Sequence, residues 1–149
     1  MYKLEISLLQ IIVFIVISPI SLIAQHNNMS LSRTADSEQL QWRNCPEFMP
    51  ESCEIAVLQG DPTKPNADVF FKMQGNTSVP NHWHHSAERM VLVSGEMEVN
   101  YKGQEPEILQ TGAYAYGPPE KPHSASCLSD ETCLLFIAFN KPVDAFLAE

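Results

Sequence analysis

The chain has 149 residues, 18 of them acidic and 9 basic, with a formal net charge of −9, which is room for one domain with a core but not comfortably for two. So acidic a chain without a Lys/Arg stripe lacks the electrostatic footprint of a nucleic-acid binder and is repelled by anionic membranes. Lys72, Arg89, Lys102 and Lys121 are scattered and read as solvated surface charge.

From Leu8 to Ile17 the chain is apolar except for Gln10, and Pro19 and Ser21 then lead to Leu22-Ile23-Ala24. This reads as a signal peptide over residues 1–24, cleaved between Ala24 and Gln25. Lys3 is offset by Glu5, so a retained anchor is the competing reading, although the run is short for a span and is broken by Pro19. No cysteine lies near the cleavage point, which disfavours a lipid anchor. The mature protein is expected to be soluble, periplasmic or extracellular, with no stable membrane insertion once the signal is removed. Residues 25–38 are polar and aperiodic and read as a flexible leader, and one domain is expected over 39–149.

Cys45 and Cys53 lie close in sequence, as do Cys127 and Cys133, and an even count in an oxidising compartment invites disulfides. Of the three connectivities, the local one is expected: each pair closes a short loop, one holding Pro46 and Pro50, the other a polar turn. A thiolate metal site would need Cys-x-x-Cys spacing, which is absent. Asn28-Met-Ser30 and Asn76-Thr-Ser78 match the glycosylation pattern, which matters only in a host that glycosylates exported proteins.

Strand-length runs rich in apolar, β-branched or aromatic residues fall at Ile55–Leu58, Val69–Met73, Met90–Val93, Met97–Tyr101, Tyr114–Tyr116 and Leu134–Phe139. Gly60-Asp-Pro62, Lys64-Pro-Asn66, Ser94-Gly95, Lys102-Gly103 and Pro118-Pro119 interrupt the chain too often for long helices. A helix is conceivable over Val143–Ala148, with a last extended segment as the alternative. Many short strands with frequent turns indicate an all-β sandwich or closed barrel.

The chemistry concentrates in His82-Trp83-His84, Glu88 and His123. Three imidazoles and a carboxylate suit a borderline divalent cation, and histidines at i and i+2 of an extended chain point the same way, roughly 7 Å apart. Glu88 is also at an even offset from His84, but Ser86-Ala87 can turn the chain, so parity alone does not fix its side. His26 and His85 read as ordinary surface or hydrogen-bonded histidines.

The stretch from Gly75 through Pro80, His82, His84 and Glu88 to Gly95 resembles the first motif of the cupin family. Gly112-Ala-Tyr-Ala-Tyr-Gly-Pro118-Pro-Glu120-Lys-Pro-His123 is similar to the second. The resemblance implies a double-stranded β-helix, a jelly-roll barrel, with His82, His84, Glu88 and His123 as the ligands of one divalent transition metal: Fe, Mn, Ni, Cu or Zn. It also implies that Met90, Leu92, Phe136 and Phe139 lie around the ligands, while core packing without ligand contact is the favoured reading of each one singly. Three departures stand out: one extra residue between Gly75 and His82, Glu120 where the family usually has Gly, and Cys127 where it often has Asn. None removes a ligand, but Glu120 must then adopt a turn that glycine adopts more readily.

Four protein ligands leave open positions on a five- or six-coordinate metal and none on a tetrahedral zinc. Cupin-like proteins include dioxygenases, isomerases, decarboxylases and non-enzymatic binding or storage proteins, and fold alone does not choose among them. The favoured expectation is an oxygen-dependent, dioxygenase-like metalloenzyme acting on a small molecule. The alternative is a non-catalytic module that binds a small ligand or metal, and a homodimer is left open. Trp83, Arg89, Met90, Tyr114 and Tyr116 lie near the ligands in sequence, where core, rim or surface positions explain them as well as substrate contact does. No nucleophile elbow, dinucleotide fingerprint, phosphate loop or His-Glu-x-x-His competes.

Overall fold

The computed structural model of the protein describes residues Ser30–Glu149, so the expected signal peptide, His26 and the first residues of the expected leader lie outside the described residues. The strands are β1 (Arg43–Asn44), β2 (Glu54–Gln59), β3 (Ala67–Met73), β4 (Ser78–Trp83), β5 (Glu88–Ser94), β6 (Glu96–Tyr101), β7 (Glu107–Gln110), β8 (Tyr114–Gly117), β9 (His123–Cys127), β10 (Cys133–Phe139) and β11 (Phe146–Leu147). They form two antiparallel sheets, one in the order β1-β2-β3-β10-β5-β8 and the other β11-β4-β9-β6-β7. No helix among the described residues is long and apolar enough to cross a membrane.

The main core lies between the sheets. Val69, Met90, Leu92 and Leu135 come to it from one sheet and Val79, Met97, Val99 and Leu109 from the other. β10 shows how the sequence divides its two faces. Cys133, Leu135, Ile137 and Phe139 alternate into the main core, while Leu134 and Phe136 face the opposite side. There they meet a second apolar cluster with Leu40, Ala56, Phe70 and Trp42. Phe136 therefore packs on this second cluster, as its core-packing reading has it, and does not surround the proposed ligands; the two-residue period of the strand turns it outward.

Packing on that outer cluster begins at Ala35, and Ser37 and Leu40 close turns by main-chain bonds to Thr34 and Ser37. Of these, Thr34, Ala35 and Ser37 precede the expected domain start at Gln39. At the other end, Val143–Ala148 does not form a helix. Its Phe146 and Leu147 pair with Trp83 and His82 of β4, so the edge of the sheet supplies main-chain partners that a helix would have to find within itself.

The cysteines pair locally, Cys45 with Cys53 and Cys127 with Cys133, and no described cysteine is free. The second bridge joins β9 of one sheet to β10 of the other. Disulfides of this kind persist in oxidising compartments.

Candidate metal centre

β4 carries a residue more than its partner strand between Val79 and His82. Val79 pairs with Ala125 and His82 with His123, so three steps on β4 match two on β9. A bulge at Pro80-Asn81 takes up the difference, and a bulge is where proline is tolerated inside a sheet. It also turns both Val79 and His82 inward although their separation is odd; both are buried. The extra residue noted between Gly75 and His82 is thereby accommodated without losing the ligand.

Across the sheet, His82 on β4, His123 on β9 and Tyr101 on β6 form one row. Side chains in such a row point to the same face. The rings of His82 and His123 are 4.2 Å apart, and Tyr101 stacks on His123 at 4.7 Å. His84 follows the end of β4, with its ring 4.8 Å from that of His82. The chain then bends at His85-Ser86 and enters the opposite sheet at Glu88. Ser86 Oγ, fully buried, holds the bend by accepting from the main-chain N–H groups of Asn140 at 3.0 Å and Lys141 at 3.1 Å. Glu88 accordingly faces the histidines from the other wall, with its oxygens 3.4 Å from His84 Nε2 and 3.3 Å from His123 Nε2.

Each histidine has its tautomer set by the main chain. The Nδ1–H of His82 donates to Pro80 O at 2.8 Å, that of His123 to Lys121 O at 3.0 Å, and that of His84 to Asp144 O. A carbonyl can only accept, so each Nδ1 carries the proton and each Nε2 the lone pair. The three rings offer ligand nitrogens within 4.8 Å of one another. His84 Nε2 is buried with no hydrogen-bond partner, a lone pair the apolar interior leaves unsatisfied. Imidazole nitrogens gathered this closely, each backed by a carbonyl on the far nitrogen, could hold a divalent transition metal, and the residues fit one.

Burial dominates the electrostatics of these residues. It lowers His82 to about 4 and His123 to about 3, and in each case a neighbouring histidine adds to the effect. Burial raises Glu88 above the usual carboxylate range, against the pull of His84. It raises the Tyr101 phenol as well, and the Glu88 charge reinforces that.

The site opens on a cavity of about 250 Å³. Met49, Phe71, Met90, Met97, Leu135 and Phe139 make its wall almost wholly apolar, and no lysine or arginine lines it. Of the residues that sequence proximity singled out, Met90 alone reaches it. Tyr114 and Tyr116 on β8 are 63% and 54% exposed, Arg89 points to solvent, and Trp83 stacks on Phe146 at 4.7 Å. His85 is a surface histidine whose Nδ1 lies 2.7 Å from a carboxylate oxygen of Asp144.

Sequence reading missed Tyr101, Gly117 and Asp144. Tyr101 closes a strand that had been assigned and Gly117 lies one residue past another, and the alternation of β6 marked Met97, Val99 and Tyr101 as one face. Asp144 lies 60 residues from His84, and no local pattern announces it.

Two facing antiparallel sheets with a buried histidine cluster between them define a cupin. The ChrR cupin-like domain matches residues 32–143, and the chain belongs to that family. A comparison with curated protein sequences gives no match. Among solved structures, the DMSP lyase DddQ from Ruegeria pomeroyi is similar with a TM-score of 0.64 and 19% identity, over 73% of this chain and 61% of that one. An oxalate decarboxylase from Lactobacillus farciminis is similar at 0.60 and 16%, over 72% of this chain and 33% of that one. An uncharacterized protein with a double-stranded β-helix domain from Klebsiella pneumoniae reaches 0.56 and 18%, over 69% and 92%. At these identities the likeness is one of fold.

Proposed function

We propose that this chain is an exported, metal-dependent cupin that acts on a small, neutral organic molecule with dioxygen as the second substrate. His82, His84, Glu88 and His123 would hold the metal. The observation that carries this reading is the set of Nε2 lone pairs, each backed by a main-chain carbonyl, turned with a carboxylate toward one apolar cavity. A divalent metal bound there supplies Lewis acidity and, when redox-active, reactivity toward oxygen.

The chain's own residues select the substrate. With no described lysine or arginine on its wall and Glu88 inside it, the cavity offers an anionic group only the bound metal to pair with, and any charge that does not reach the metal is costly in such surroundings. Size sets a second limit. An apolar cavity of about 150 Å³ holds benzene, so this one takes roughly ten non-hydrogen atoms. Small diketones and phenols meet both conditions, and hydroxy acids meet the first only through the metal.

The test has two parts. Metal analysis of the wild type beside His82→Ala and His123→Ala should find about one first-row metal per wild-type chain and little in the variants; equal content in all three overturns the ligand assignment. Protein loaded separately with iron, manganese, nickel, copper and zinc is then screened for oxygen uptake with diketones, phenols and hydroxy acids. Turnover of neutral substrates that requires a redox metal and vanishes in Glu88→Ala is the expected result. Saturable binding without turnover under every metal would instead make the chain a binding module.

A further inference from the structure

The segment Val143–Ala148 is tied to the site at several points. β11 pairs with β4, the strand that carries His82, and the main-chain N–H of Ala148 donates to Asn81 O at 2.9 Å. Phe146 stacks on Trp83. Val143, Asp144 and Ala145 form part of the cavity wall. Asp144 is the centre of this arrangement. Its carbonyl accepts from His84 Nδ1, while its carboxylate accepts from the His85 main-chain N–H at 3.0 Å and meets His85 Nδ1 at 2.7 Å. One residue therefore grips two successive histidines, the first through its main chain and the second through its side chain.

His84 needs such an outside hold. His82 and His123 donate to carbonyls two residues earlier in their own chain segments, so their orientation is local. His84 lies past the end of β4, and the carbonyl that orients it comes from 60 residues away. The Asp144 carboxylate, fastened to His85, is the tie made by that residue itself, beside the Val143 N–H to Pro62 O bond and the pairing of β11 with β4. We infer that Asp144 is the positioning residue of His84: by binding His85 it fixes the C-terminal segment so that its carbonyl holds His84 in the Nδ1–H tautomer with Nε2 turned inward. This rests on the reading of His84 as a metal ligand only for its consequence on metal affinity, since the tautomer is a property of the metal-free chain. A partner on the far nitrogen of a metal-bound imidazole commonly accounts for about 10–100-fold in affinity.

The experiment uses full mature protein and two readouts. Long-range proton–nitrogen NMR of the metal-free protein reports the His84 tautomer, and cobalt(II) titration against a competing chelator reports affinity. Wild type should show a single Nδ1–H form. Asp144→Ala should mix the tautomers and weaken cobalt binding about 10–100-fold, while Asp144→Asn, which keeps an acceptor for the His85 N–H and a polar group for its ring, should restore both. Phe146→Ala loosens the same segment from its other side and should shift both readouts in the same direction by less. An unchanged tautomer and affinity in Asp144→Ala overturns the inference, as does an Asp144→Asn protein that behaves like Asp144→Ala. Wild-type protein that takes up no cobalt would remove the metal reading, and the tautomer spectrum would still decide the role of Asp144.

Discussion

A Cβ placed at Gly117 would lie 2.3 Å from Tyr101 Oη and 3.0 Å from Glu88 Oε2. Gly117 sits opposite Glu88 on the neighbouring strand, and its bare Cα is what lets a tyrosine from one sheet and a carboxylate from the other share the space. Gly117→Ala must displace one of them. We expect it to destabilise the fold by about 1–3 kcal/mol and to weaken metal binding, measured by thermal melts and chelator competition; wild-type values in both would mean the tyrosine moves aside freely. Glu120 poses the converse problem. Space is not limiting there, but its φ of 61° is left-handed, which is the strain foreseen from the glycine usual at that place. Its main-chain N–H donates to His84 O at 2.7 Å, so the turn is kept although the side chain disfavours it. Glu120→Gly should raise stability by about 1 kcal/mol, read as a higher denaturant midpoint with unchanged metal content.

The strands that were legible are the apolar ones. β3, β5, β6 and β10 carry runs such as ADVFFKM and CLLFIAF, and their boundaries lie within two residues of those read from pattern alone. β4 and β9, which present His82 and His123, were not assigned. Their sequences, SVPNHW and HSASC, hold a proline, a bulge and mostly polar residues, so propensity is silent where the site is built. Histidine spacing located the candidate ligands without locating their strands, and the route by which Glu88 joins them is a change of sheet that no parity rule contains. The local disulfides were legible from loop length. The bridge from Cys127 to Cys133 ties the sheets beside the Ser129–Thr132 turn, and replacing both cysteines by alanine should lower stability by about 2–4 kcal/mol. Cys127 closes β9 at the end opposite His123, so metal stoichiometry should survive wherever the variant is folded; a folded variant that has lost its metal would show that the bridge also sets the spacing of the site.

For the molecule as a whole, the buried histidines make metal-free stability depend on pH in a fixed direction. His82 and His123 titrate near 6.5 when unfolded and at about 4 and about 3 when folded. Between those limits the unfolded chain binds more protons than the folded one, so stability rises with pH and is lost as pH falls from about 6.5 toward about 4. Glu88 acts in the opposite sense. Its folded pKa is raised above 4.5, so its contribution is fully present below 4.5 and is lost as pH rises through the folded value. Two histidines act against one carboxylate, and the net expectation is a metal-free protein that weakens steadily on acidification. Urea unfolding of chelator-treated protein from pH 7.5 to 4.5 measures this directly, and a flat or inverted profile would mean that the histidines are already protonated and turned away from the core. Metal at saturating concentration adds stability by binding only the folded chain. The loaded protein should therefore hold its pH 7.5 stability to lower pH than the metal-free form, until protons compete for the same Nε2 lone pairs, and His82→Ala should bring the two profiles together.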